Sequence, residues 1–149
     1  MMRSMLLSLT SILLLSGPST LKAQAQPPVT IVSKPVAGAF PLAGSKNAAP
    51  LFFDAGETKV IGIASKAFAE DVQRVTGLRP AIRNDQQPVA KYAVIAGTIG
   101  QSNLIDKLIS SKKITVDSIR NKWETFLIAV VVQPFAGMEQ ALVVAGHRR

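Results

Sequence analysis

Tyr92-Ala93-Val94-Ile95-Ala96-Gly97-Thr98-Ile99-Gly100-Gln101-Ser102 is the stretch whose reading decides the fold of this chain. Its first five residues are a continuous apolar run, the pattern of a strand covered on both faces. Gly97-Thr98-Ile99-Gly100 reads as a turn, and Ser102 is placed to cap a helix running to about Ser110. Leu104, Ile105, Leu108 and Ile109 recur at helical spacing and mark that helix's inner face. Asp106 lies near its start, and Lys112 and Lys113 lie beyond its end, where positive charge suits the helix dipole. Strand, glycine turn and capped helix, in that order, are the unit of α/β architecture.

The same alternation extends in both directions. Upstream, Leu51-Phe52-Phe53 is a compact strand candidate ended by Asp54-Ala55-Gly56. Val60 to Val75 has helical period, with Ile61, Ala64, Phe68, Val72 and Val75 on one stripe and Glu70 spaced to pair with Arg74. Gly77 supplies a left-handed stop and Pro80 forbids continuation. Ala81-Ile82-Arg83 is a short strand candidate, and Asn84 to Pro88 a polar turn. Downstream, Val116 to Ile119 reads as a helical turn and Thr125 to Val132 as the strongest strand of the chain. Ala141 to Ala145 is a last strand leading into a turn at Gly146. The predicted class is α/β, a mixed β-sheet with two main flanking helices, incomplete at the C-terminus. Two helices are too few to cover both faces of so apolar a sheet. A third, following Gly146, would complete it, so bare apolar surface is expected on the last strands.

The first residues stand apart from this pattern. Arg3 precedes an apolar run, Met5 to Leu15, broken by Gly17-Pro18. Ala23 and Ala25 then offer small side chains at the two positions a signal peptidase reads. The run is shorter than the ~20 residues of a permanent membrane anchor. Residues 1–25 are therefore expected to be an export signal, 26–39 an extended lead-in with one short strand at Val29 to Val32, and 40–149 a single α/β domain. The implied location is periplasmic or extracellular. The chain has no cysteine, so disulfides, a lipoprotein anchor and thiolate metal sites are excluded. With hydrophobic residues at 48%, the core alone can hold such a domain together. The formal charge of +8 is scattered, with no basic stripe interleaved with aromatics, so nucleic acid is not an expected partner.

The residues that carry chemistry are few. Glycoside cleavage usually needs two carboxyl groups across a sugar-binding cleft. Glu70 and Asp71 are adjacent on a helix and diverge; Asp54 and Glu57 are explained by the charge of a helix start. Glu124 beside Trp123 is the most suggestive site, because an indole face can stack on a sugar. The plainer role has Trp123 plugging the sheet edge and Glu124 pairing with Lys122 or a backbone amide. His147, the only histidine, has no partners at metal-ligand spacing, and no cofactor signature is present. Gly97 and Gly100, with Thr98, Ile99 and Ser102, could cradle an anion at the helix start.

The order of segments carries a resemblance. Phe40-Pro41-Leu42, Ala49-Pro50-Leu51, and Asp71-Val72-Gln73-Arg74-Val75-Thr76-Gly77-Leu78-Arg79-Pro80 come first. Ala96-Gly97-Thr98-Ile99-Gly100-Gln101-Ser102 with Leu104-Ile105-Asp106, Lys122-Trp123-Glu124-Thr125-Phe126 and Ala141-Leu142-Val143-Val144-Ala145-Gly146 follow. This ordered set resembles the N-terminal domain of glycoside hydrolase family 115. The resemblance implies a secreted xylan α-1,2-glucuronidase that removes glucuronic acid or its 4-O-methyl form from xylan with inversion, so the implied partner of the full enzyme is glucuronoxylan or another acidic polysaccharide. It also implies that the catalytic carboxylates lie in a following barrel, so no catalytic residue is carried over. The family pattern after the last glycine is similar to Ser-Asp-Lys-Arg-Gly-Thr, where this chain has His147-Arg148-Arg149. The expectation is a truncated, inactive leading domain; the alternative is a free-standing exported carbohydrate-binding or structural module.

Overall fold

The computed structural model describes residues 29–34, 36–84, 88–120, 122 and 124–147. The chain divides into two compact units, residues 1–31 and 32–149. Of the first, only Val29 to Ile31 is described; these residues are exposed and take no regular structure. The short strand expected over Val29 to Val32 is therefore not formed, because none of its residues finds a strand to pair with. The export signal, with Ala23 and Ala25, lies outside the described residues.

The second unit is an α/β domain. Its elements are β1 (Leu51–Phe52), α1 (Lys59–Thr76), β2 (Ile82–Arg83), β3 (Tyr92–Ile99), α2 (Asn103–Ser110), β4 (Phe126–Val132) and β5 (Gln140–His147). They form one mixed sheet of order β2-β1-β3-β5-β4. β1 is parallel to β2 and β3, β3 is parallel to β5, and only β4 runs antiparallel.

Register assigns the two faces. Phe52 lies beside Ile95, Ile95 beside Val143, and Val143 beside Ala129. This face holds the main core, with Leu104, Ile105 and Leu108 of α2 and the buried Ile114, Val116, Ile119 and Met138. The other face carries Leu51, Val94, Leu142 and Val130 in one row. There α1 packs, with Gly62 facing the Phe53 ring. α1 covers only the β2-β1-β3 half of this face. On β4, Phe126, Val130 and Val132 are 56%, 42% and 62% exposed. Ile128, Leu142 and Val144 beside them are half-buried. The bare apolar surface expected on the last strands is present, and it is confined to one face.

Several boundaries differ from the sequence reading, each for a tertiary reason. β3 continues through Gly97, Thr98 and Ile99 rather than turning there, because β5 supplies partners that far, Thr98 to Gly146 and Ile99 to His147. β5 likewise runs through Gly146 to His147 instead of turning at the glycine. The buried stripe of α1 is Ser65, Ala69 and Val72, with Phe68 half-buried, whereas Val75 is 85% exposed and Ala64 is exposed. Small residues at 65 and 69 let the helix approach a sheet whose β1 and β2 strands are only two residues long. Glu70 pairs with Arg79 rather than Arg74, which bonds Asp71 at 2.7 Å. The predicted stops hold: Gly77 has φ 77° and its N–H donates to the Gln73 carbonyl.

Candidate functional site

The connection leaving β1 returns to β2 on one side, while β3 leads through α2 to β4 and β5 on the other. Adjacent parallel strands whose connections depart in opposite directions open a crevice at their carboxyl ends, the usual ligand position in such sheets. Here the crevice lies between the β1–α1 loop, with Asp54, Gly56 and Glu57, and the turn from Thr98 to Ser102.

Its polar groups are satisfied by one another. Asp54 Oδ2 accepts the Ser102 hydroxyl at 2.5 Å and the Leu104 N–H at 3.1 Å. Ser102 Oγ in turn accepts the Ile105 N–H at 3.2 Å, the cap read from the sequence. Glu57 takes the Thr98 N–H on Oε1 at 2.5 Å and the Thr98 hydroxyl on Oε2 at 2.9 Å. Asp106 Oδ1 accepts the Gly100 N–H, and the Gln101 side-chain amide donates to the Gly56 carbonyl. The side-chain hydrogen bonds of Asp54 and Glu57 go to segments other than the start of α1. Asp54 caps α2 and Glu57 ties down the end of β3, because the crevice brings these segments together across about 40 to 50 residues of chain.

Gly97 makes the closure feasible. A Cβ at this position would lie 2.6 Å from both Cβ and Oγ of Ser102 and 2.9 Å from Ile105. Gly100, at φ 77°, turns the chain from β3 toward α2. The glycines are thus required by packing and turn geometry, and the donors expected to cradle an anion are aimed at the domain's own carboxylates.

The remaining sequence candidates are elsewhere. Trp123 lies outside the described residues. Glu124 is exposed at φ 53° just before β4, with no hydrogen bond or ion pair to another described residue, so pairing with Lys122 does not occur. Among the described residues, no three His, Asp or Glu side chains converge as metal ligands. No helix among them is long and apolar enough to cross a membrane.

Two shallow cavities lie outside the crevice. One, of about 500 Å³, is lined by Lys113, the Gln133 to Met138 loop and Glu139, its only carboxylate. The other, of about 380 Å³, lies beside Lys46, Arg79 and Arg83 and has no carboxylate among the described residues. No protein-family model matches the chain, and no curated protein matches it.

Glu139 belongs to an exposed cluster at the amino end of the sheet. It accepts the Tyr92 hydroxyl at 2.8 Å and pairs with Lys91 at 3.0 Å. Those bonds, Tyr92's foremost, hold its carboxyl below the usual range. The same contacts with Glu139 raise Lys91 and Tyr92 above theirs. A depressed carboxyl stabilises the fold above the ordinary glutamate value of about 4.3 and loses that effect as pH falls through its own lower value. Raised Lys91 and Tyr92 stabilise below about 10 and lose that effect as pH rises through their folded values. A stability plateau between about pH 5 and 9, declining on both sides and flattened by salt, is the expected profile. NMR titration should place the Glu139 midpoint below the free-peptide value in the native protein, and closer to it in Tyr92→Phe.

Proposed function

We propose that this chain is the non-catalytic leading domain of an exported xylan α-1,2-glucuronidase of the family 115 type. The ordered motifs from Phe40 to Gly146 support the family assignment. One observation supports the absence of catalysis. The acids at the sheet's carboxyl edge, Asp54, Glu57 and Asp106, are all engaged by the domain's own N–H and O–H groups, and neither cavity is lined by two carboxylates among the described residues. An inverting glycosidase needs an acid and a base about 6.5–9.5 Å apart with room for water between them. In this reading, the domain contributes shape and a docking face to a larger enzyme.

A second reading, a free-standing sugar-binding module, draws support from the cations of Lys46 and Arg83 beside the second cavity, which suit a uronic acid carboxylate. A single preparation tests both readings. The purified chain is incubated with glucuronoxylan, and released glucuronic acid is measured; none above the buffer control is expected, and clear turnover ends the non-catalytic reading. Calorimetry with glucuronoxylan oligosaccharides gives no heat under the first reading. Saturable heat lost in Lys46→Ala/Arg83→Ala would favour the second.

A further inference from the structure

We propose that two copies of this chain pair through the α1 face of the sheet, each placing its α1 in the bare groove of the other. The inference does not rest on the proposed function, and it concerns the face that the rest of a larger enzyme would cover in that reading. The groove is bounded by α1 on one side and by the free edge of β4 on the other, and its floor is β5 and β4. Two strands at about 4.8 Å spacing give it a width of about 10 Å, the diameter of one helix.

α1 has a second apolar surface suited to that floor. Val60 and Ile63 are 69% and 67% exposed, and with the exposed Ala64 and Ala67 they form a ridge over the first two turns. Hydrophobic residues here are unexpected on the solvent side of a surface helix. A twofold axis parallel to the strands places the α1 helices side by side between two sheets. Each helix then rests on its own β1 and β3 below and on the second copy's β4 and β5 above. The contact is isologous and closes at two copies.

Polarity agrees along this axis, which keeps the carboxyl ends of both sheets level. The apolar start of α1 meets Phe126, Ile128 and Val144 of the second copy. Its last turns, with Asp71, Arg74 and the exposed Val75, meet the amino end at Tyr92, Glu139 and Gln140, where Val132 of β4 is also exposed. Area agrees too. The groove and ridge together expose roughly 700 Å² of apolar surface per copy, close to the ~800 Å² per partner of a standard interface. The groove alone supplies about half of that, too little to hold two sheets together face to face.

The flanks of α1 provide the decisive probe. Glu70 and Gln73 hold Arg79 at the approach to β2, so that flank faces away from the groove. Ala64 and Phe68 lie on the opposite flank and face their symmetry mates across the axis. The chain is free of cysteine, so a single introduced thiol is unambiguous. Sedimentation velocity of the full chain should show a dimer. Ile63→Glu and Val130→Glu, both at exposed positions, should each shift it to monomer with an unchanged circular dichroism spectrum. Under mild oxidation, Ala64→Cys should form a disulfide-linked dimer at least tenfold faster than Glu70→Cys. A chain that stays monomeric into the 100 μM range, even one that binds hydrophobic dye and so awaits another cover, overturns the proposal. Assemblies larger than two, or equal cross-linking at positions 64 and 70, also overturn it.

Discussion

Gly97→Val should be among the most destabilising single substitutions in the domain, lowering its urea midpoint sharply. A glycine inside a strand normally weakens it, so adding a side chain would ordinarily stabilise by about 0.5–1 kcal/mol. At position 97 the first added carbon already lies 2.6 Å from Ser102 and 2.9 Å from Ile105. Neither neighbour can retreat: both are fully buried, and Ser102 is held by Asp54 while Ile105 is in the α2 core. Overpacking of this kind costs about 1–3 kcal/mol, and valine's two further methyls add to it. The expected loss of about 3 kcal/mol or more is a large share of the 5–15 kcal/mol that holds a typical domain together. Gly146→Ala is the matched control. It lies beside Thr98 on β5, yet no atom comes within 4 Å of the Cβ it would add. Urea unfolding should show this variant unchanged or slightly stabilised. Equal effects at the two positions would show that close approach at residue 97 is not what requires glycine.

The contrast between these glycines marks where sequence reading succeeds and where it stops. Caps and stops are read correctly where the determining partners are within a few residues, although the Glu70–Arg74 pair, also local, does not form. Ser102 bonds the N–H three residues on, Gly77 closes its helix onto Gln73, and the apolar run from Phe126 to Val132 is a strand. The faces of the sheet follow from alternation only after register is known, because Leu142 and Val143 are equally apolar and only one is covered. The ends of β3 and β5 were not legible, since each is extended by the other and neither contains the signal alone. Asp54 and Glu57 show the same limit at the candidate site. A carboxylate two residues beyond a strand looks like a charge for the next helix. Its actual partners are 41 to 50 residues away, and nothing in the spacing specifies them. The incomplete cover of the sheet, by contrast, was legible because it is a matter of counting helices against apolar strands.

Asp54→Ala should destabilise the domain by about 2–4 kcal/mol, because the change strands two donors at once. Hydrogen bonds to a charged group contribute about 1.5–3 kcal/mol, and a buried donor left unpaired adds its own desolvation penalty. The Ser102 hydroxyl is fully buried and would lose its acceptor; the Leu104 N–H would lose the side chain that caps it. Ser102→Ala should cost less, about 1–2 kcal/mol, since it removes the helix cap and one of Asp54's two bonds. The double variant should lose about 1–2 kcal/mol less than the sum of the singles, because both remove the same Asp54–Ser102 contact. Urea titration of the four proteins measures that coupling directly. The result bears on function as much as on stability. On the proposed reading, Asp54 is a structural carboxylate whose bonds hold the end of β1 to α2. If Asp54→Ala proved neutral and uncoupled from Ser102, the carboxyl edge would be free for chemistry, and the non-catalytic reading would lose its physical basis.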